Sequence, residues 1–200
     1  MFGDNRYNAA DVKISNSLGN IPSTKKNCRW FLIPIKSNPP FFKCVCQRNS
    51  IFGINTMFNR NAFKLGIFSP NCSGGMAVTT VPERWDASWE NNLALVRTAD
   101  AAGIEFILPI ARWTGYGGDT DFQGDSLETV TWATGLLAQT KRITVFATAH
   151  TAFIHPLVAA KQFATADHIA AGRFGLNIVC GWNQPEYEMF GLKLPAGHDV

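Results

Sequence analysis

From Lys64 onward, short apolar runs alternate with longer stretches at helical spacing. "KLGIFSP" (64–70), "IEFILPI" (104–110), "RITVFATAH" (142–150) and "RFGLNIVCG" (173–181) read as strands. Between the first two, residues 84–103 place Trp85, Trp89, Leu93 and Val96 at spacings of 4, 4 and 3, and Gly103 follows as a stop. The next helix is expected to be N-capped by Ser126, to carry Thr129 and Trp132, and to end near Thr140. A third opens at Pro156 and closes at Gly172.

Strands that are apolar on both faces, in strict alternation with helices, predict a parallel sheet covered by helices. Two α/β architectures fit: an open doubly wound sheet and a closed (β/α)8 TIM barrel. A dinucleotide fold wants G-x-G-x-x-G after its first strand, where this chain has "SPNCSGG", and no Walker loop occurs. The barrel is therefore expected, with only its first four strands in these 200 residues. A complete barrel takes about 250 residues, so the chain reads as an N-terminal half that would be inactive on its own.

Residues 1–56 differ in character. Their apolar patches, "WFLIPI" and "FFKCVC", have no sustained period, and they lack the single apolar core of a secretory signal. This head is expected to be a disordered or non-native extension, with the barrel domain over 57–200. Composition is that of a globular chain, 46% hydrophobic and 16% charged, and no apolar run reaches the roughly 18 residues of a membrane helix. The net charge of +3 is unevenly placed: +6 over residues 1–56 and −3 over 57–200. The body thus gives no reason to expect nucleic acid as a partner. Cys28, Cys44 and Cys46 lie in the head without a nearby histidine, a poor zinc pattern. Cys72 and Cys180 read as packed, reduced thiols, which suits a cytoplasmic location.

In a barrel the chemistry sits at the C-terminal ends of the strands. Those ends carry Asn71, Ala111 and Arg112, His150, and Asn177 with Trp182. An amide inside a parallel strand is costly unless hydrogen-bonded, so Asn177 is expected to point inward, toward a ligand. His150 reads as a rim or capping residue, and His155 and His168 as structural or solvated. No H-x-x-H, H-E-x-x-H or paired C-x-x-C occurs in the body, so no metal is expected.

"LPIARWTGYGGDTDFQGDSLE" followed by "GRFGLNIVCGWNQPEYEMFG" resembles the luciferase-like flavin-dependent monooxygenases. The pyrimidine monooxygenase branch is the nearest in pattern, with the dimethylsulfone and alkanesulfonate monooxygenases beside it. The resemblance runs from about Phe63 to the end. It implies a barrel that binds reduced FMN, supplied by a separate NAD(P)H flavin reductase, and uses dioxygen to oxygenate a small organic substrate: a pyrimidine-like ring, a sulfone or a sulfonate. It also implies that Ala111, Arg112, Asn177 and Glu186 contact the flavin, with its phosphate held by residues beyond position 200. Trp113, Phe146, Phe153 and Trp182 are expected to keep the pocket dry. A homo-oligomer is expected at full length. Deazaflavin-dependent reduction and non-catalytic flavin binding are the alternatives; an unrelated barrel finds no convincing inward Lys or carboxylate.

Overall fold

A computed structural model describes residues 56–195. The head's cysteines and its basic patch lie outside the described residues. Four strands, β1 (Gly66–Phe68), β2 (Phe106–Leu108), β3 (Thr144–His150) and β4 (Phe174–Val179), form one parallel sheet in the order β1-β2-β3-β4. Each connection carries a helix: α1 (Trp89–Ala102), α2 (Thr129–Ala138) and α3 (Pro156–Ala170). A doubly wound sheet reverses its strand order partway, whereas a barrel adds strands in sequence. The observed order is that of a TIM barrel.

Alternation along the strands separates two faces. Ile107, Val145 and Ala147 point to the helices and form the core with Val96, Leu136 and Ile143, all buried. Thr144, Phe146, Thr148 and His150 take the opposite, inner face. There Phe106 meets Phe146 edge to face with centroids 5.8 Å apart. Glycines make room for these rings: a Cβ on Gly175 would lie 2.5 Å from the Phe146 ring, and one on Gly66 would overlap Phe106. Large and small residues thus alternate across the inner face.

The helices start and stop for local reasons, some of them not those expected. Ser88 caps α1, accepting from Asn91 N at 3.3 Å, so Trp85 falls outside the helix and donates its indole N–H to Pro70 O at 2.7 Å. Val96 is buried, Leu93 is half-buried against the core, and Trp89 is exposed at the stripe's outer end. Gly103 ends α1 at φ 82°, with Ile104 N donating to Ala99 O. The cap of α2 is Glu128, whose carboxylate accepts from Val130 N and Thr131 N at 2.9 and 2.7 Å. Ser126 instead donates to Arg112 O at 2.7 Å, because Cys72 bridges it into the loop after β1. Pro156 opens α3 behind the cap His155, as expected; Ala171, left-handed at φ 52°, precedes Gly172 at its end. A short helix, α4 (Gln184–Met189), follows β4 where "QPEYEM" had no assigned element.

At the opposite, N-terminal end of the strands, Glu105 gathers the approach to β1. Its carboxylate accepts from Asn59 Nδ2, Asn61 Nδ2 and Leu65 N at 3.1, 2.9 and 3.0 Å. Those hydrogen bonds, Asn59's first, hold its pKa down to about 2.

Candidate functional site

The loops leaving β1 and β2 are knitted into one rim. Asn71, fully buried, donates to Ile110 O (2.8 Å) and Leu127 O (3.2 Å) and accepts from Ile110 N (3.0 Å). Neighbouring Cys72 is fully buried, and burial raises its thiol pKa to about 11, which leaves it inert as a nucleophile. Cys180 is a free thiol but exposed, so the expectation that it packs inside does not hold.

Arg112 emerges from this rim as the hub. Its Nε donates to Gln123 Oε1 (3.1 Å), Nη1 to Glu186 Oε1 (3.3 Å) and Nη2 to Tyr116 Oη (3.1 Å). Its guanidinium also lies over the Tyr116 ring at 4.9 Å and the Trp182 ring at 5.6 Å. Gln123 is buried and left-handed at φ 57°, a strained backbone for a non-glycine residue at the hub. Glu186 comes from α4 and is 2% exposed; Oε1 also accepts from Trp113 N at 2.9 Å, while Oε2 stands 4.0 Å from His150 Nε2. One carboxylate therefore ties α4 to the end of β2.

Beside the hub is a cavity of about 300 Å³ at the ends of β2 and β3, walled by Ala111, Arg112, Trp113, Thr129, Thr148, His150, Phe153 and Phe190 among others. Phe153 stacks on Phe190 with centroids 4.4 Å apart, and Trp113 meets Phe190 edge-on at 5.0 Å. Two of the four expected contact residues, Ala111 and Arg112, lie in its wall. The other two stand one hydrogen bond behind it. Asn177 Nδ2 donates to Thr148 Oγ1 (3.3 Å), which donates to Pro109 O (2.9 Å), and Glu186 holds Arg112. Asn177 thus sits on the inner face with a protein partner, one that strand register places directly beside it. Of the aromatic residues expected to dry the pocket, Trp113 and Phe153 line it. Phe146 lies deeper on the inner face and Trp182 is 61% exposed over Arg112.

His150, expected as a rim or capping residue, is buried. It is 8% exposed, lines the cavity, and burial lowers its pKa from the usual 6.5 against the opposing pull of Glu186. Thr148, Gln123 and Tyr116 escaped the sequence reading, because a threonine in a strand and polar residues in a glycine-rich loop carry no periodic signal. His155 caps α3, its Nδ1 accepting from Leu157 N at 3.2 Å. Among the described residues no cluster of metal-ligating side chains occurs, and no helix is long and apolar enough to cross a membrane.

The model of the luciferase-like monooxygenase family matches residues 63–200. Pyrimidine monooxygenase RutA of Cronobacter turicensis is 38% identical over 133 residues, 66% of this chain and 35% of that protein. RutA of Escherichia coli K12 is equally identical over the same shares. This chain thus spans about a third of the length of these relatives. Among solved structures, riboflavin lyase RcaE with modified FMN and riboflavin superposes at TM-score 0.59 and 21% identity, over 70% of this chain and 34% of that one. Long-chain alkane monooxygenase LadA does so at 0.56 and 17%, over 70% and 36%. The two superpositions share the fold; the family match covers well over half the sequence, and the chain belongs to the luciferase-like monooxygenase family.

Proposed function

We propose that the protein carrying this chain is an FMN-dependent monooxygenase that takes reduced flavin from a separate reductase and oxygenates a small organic substrate. The observation that carries this reading is convergence: Ala111 and Arg112 stand in the wall of one cavity at the strand ends, and Asn177 and Glu186 each stand one hydrogen bond behind it. The residues present suit a flavin ring. Aromatic side chains offer apolar walls for its plane, and Asn177 would act through Thr148, whose hydroxyl it orients in the wall. Ala111 and Arg112 would flank the ring. Glu186 would act chiefly by fixing Arg112, since its Oε1 is already engaged by Arg112 and Trp113 N.

When bound, reduced flavin supplies the electrons that let dioxygen react with the substrate. The chain's own contribution is position and dryness. Arg112, though paired with Glu186, keeps N–H donors that would meet negative charge developing on oxygen, and Trp113 and Phe153 would exclude water. The similarity to RutA favours a pyrimidine-like ring as substrate. Oxygen uptake by the protein at its relatives' length, with reduced FMN and a pyrimidine, tests the reading. Uptake and product that require reduced flavin supplied in trans are expected; turnover with NADH alone, or with flavin binding but no oxygen consumption, overturns it.

A further inference from the structure

The polar side chains around the cavity have almost all spent their hydrogen bonds inside the protein. Ser126, Thr129 and Thr148 donate their hydroxyl protons to the carbonyls of Arg112, Thr148 and Pro109. Arg112 directs its Nε and both terminal nitrogens to Gln123, Glu186 and Tyr116, and Glu128 caps α2. Gln162 sits at the solvent edge. His150 is the buried exception, since the Trp113 indole, equally unbonded among the described residues, is 43% exposed. The His150 side chain is more than nine-tenths buried, yet it makes no hydrogen bond with the described residues, and Glu186 Oε2 stands at 4.0 Å from Nε2, beyond hydrogen-bond reach. A ring nitrogen that opens to a cavity and meets no protein partner there is available to what fills the cavity.

We infer that His150 is a ligand-contacting residue, offering its imidazole to the edge of an uncharged heteroaromatic ring that bears carbonyl and N–H groups. The ring's plane follows from the walls. His150 itself leans on Phe153 (4.8 Å between centroids), which stacks on Phe190 beside Trp113. The absence of a net ligand charge follows from the electrostatics: Arg112, the guanidinium in the described cavity wall, is paired with Glu186, which leaves that wall no net positive charge to hold an anionic group. A neutral imidazole, the form its burial favours, presents one donor and one acceptor, which suits adjacent carbonyl and N–H groups. Gly181 keeps this position open, since a Cβ there would come within 2.8 Å of His150 Cδ2.

Two molecules carry such an edge: the flavin ring and a pyrimidine substrate. The inference rests on the proposed flavin reading only for the first. The test follows histidine-ring NMR signals of the protein at its relatives' length during separate titrations with FMN and uracil, the His150 signals being identified by their loss in His150→Gln. We expect the His150 ring to shift with one probe or both, and the responding probe names the source. His150→Leu should weaken that probe on the order of tenfold, with His150→Gln recovering most of the loss because it restores a donor and an acceptor. Circular dichroism of both variants checks the fold. His150 ring signals that stay fixed under millimolar amounts of both probes overturn the inference, as does full affinity in folded His150→Leu. Loss of FMN binding with a retained uracil response would overturn the flavin reading and leave His150's assignment standing.

Discussion

At the residue scale, the chemistry is concentrated in side chains whose neighbours leave them few choices. Asn177 illustrates this: register fixes it beside Thr148, and its amide is held at 3.3 Å rather than free in the barrel. Asn177→Ala should weaken FMN binding by about 1–3 kcal/mol, the range for leaving a buried partner unsatisfied, and flavin fluorescence titration measures it. Gly181 is constrained in another way. Its φ of 82° suits glycine, and any Cβ would press on His150. Gly181→Ala should therefore destabilise the fold by about 1–2 kcal/mol in denaturant unfolding. His150 adds a pH dependence. Burial first, then Arg112, lowers its pKa below 6.5, while Glu186 opposes them. The unfolded chain then binds the proton more readily, so stability should fall as pH drops below about 6.5. His150→Gln should flatten that slope in unfolding experiments between pH 7 and 5.

At the element scale, α4 decides whether the site is assembled. A six-residue helix has little stability of its own, and its buried residues are Glu186 and Tyr187. Tyr187 donates to Cys180 O at 2.7 Å, and Glu186 anchors the helix to Arg112 and Trp113 N. Removing one partner of a buried ion pair strands the other, so Glu186→Ala should cost roughly 3–5 kcal/mol in equilibrium unfolding. The sequence pattern missed this helix because six residues hold fewer than two periods. It misplaced the cap of α2 for a related reason: Ser126 has the right chemistry for a cap, but its hydroxyl goes to Arg112 O, 14 positions earlier, and its backbone bridges Cys72, 54 positions earlier. The long, periodic elements were legible in outline: Val96 on α1 and Trp132 on α2 are buried, while Trp85 precedes α1 and Trp89 is exposed.

At the scale of the whole molecule, the sheet is held at both ends. The upper rim is tied through Asn71 and the Arg112 hub, the lower through Glu105. Glu105 gives that lower tie a pH window. Its folded pKa of about 2 lies under its ordinary 4.5, so its contribution is fully present above about pH 4.5 and is lost as pH falls toward 2. Glu105→Gln should be less stable than the parent chain at pH 7 and should converge with it on acidification, which thermal melts at stepped pH would show.

What the sequence determined by itself was the part written in local patterns. Period and punctuation gave four strands and three helices, the missing dinucleotide fingerprint pointed to a barrel, and the strand ends marked Ala111, Arg112, His150 and Asn177 as the residues to watch. Only the tertiary structure decided what each of them touches. The approach of Glu186 to Arg112 spans 74 positions and that of Asn177 to Thr148 spans 29. No periodicity reports contacts over such separations, because they arise when parallel strands are brought into register and the loops at their ends are folded over one another. His150 is the clearest instance: as a letter it looked like a rim histidine, and burial beside a cavity, away from any hydrogen-bonding partner in the described chain, is what makes it a group in search of a ligand.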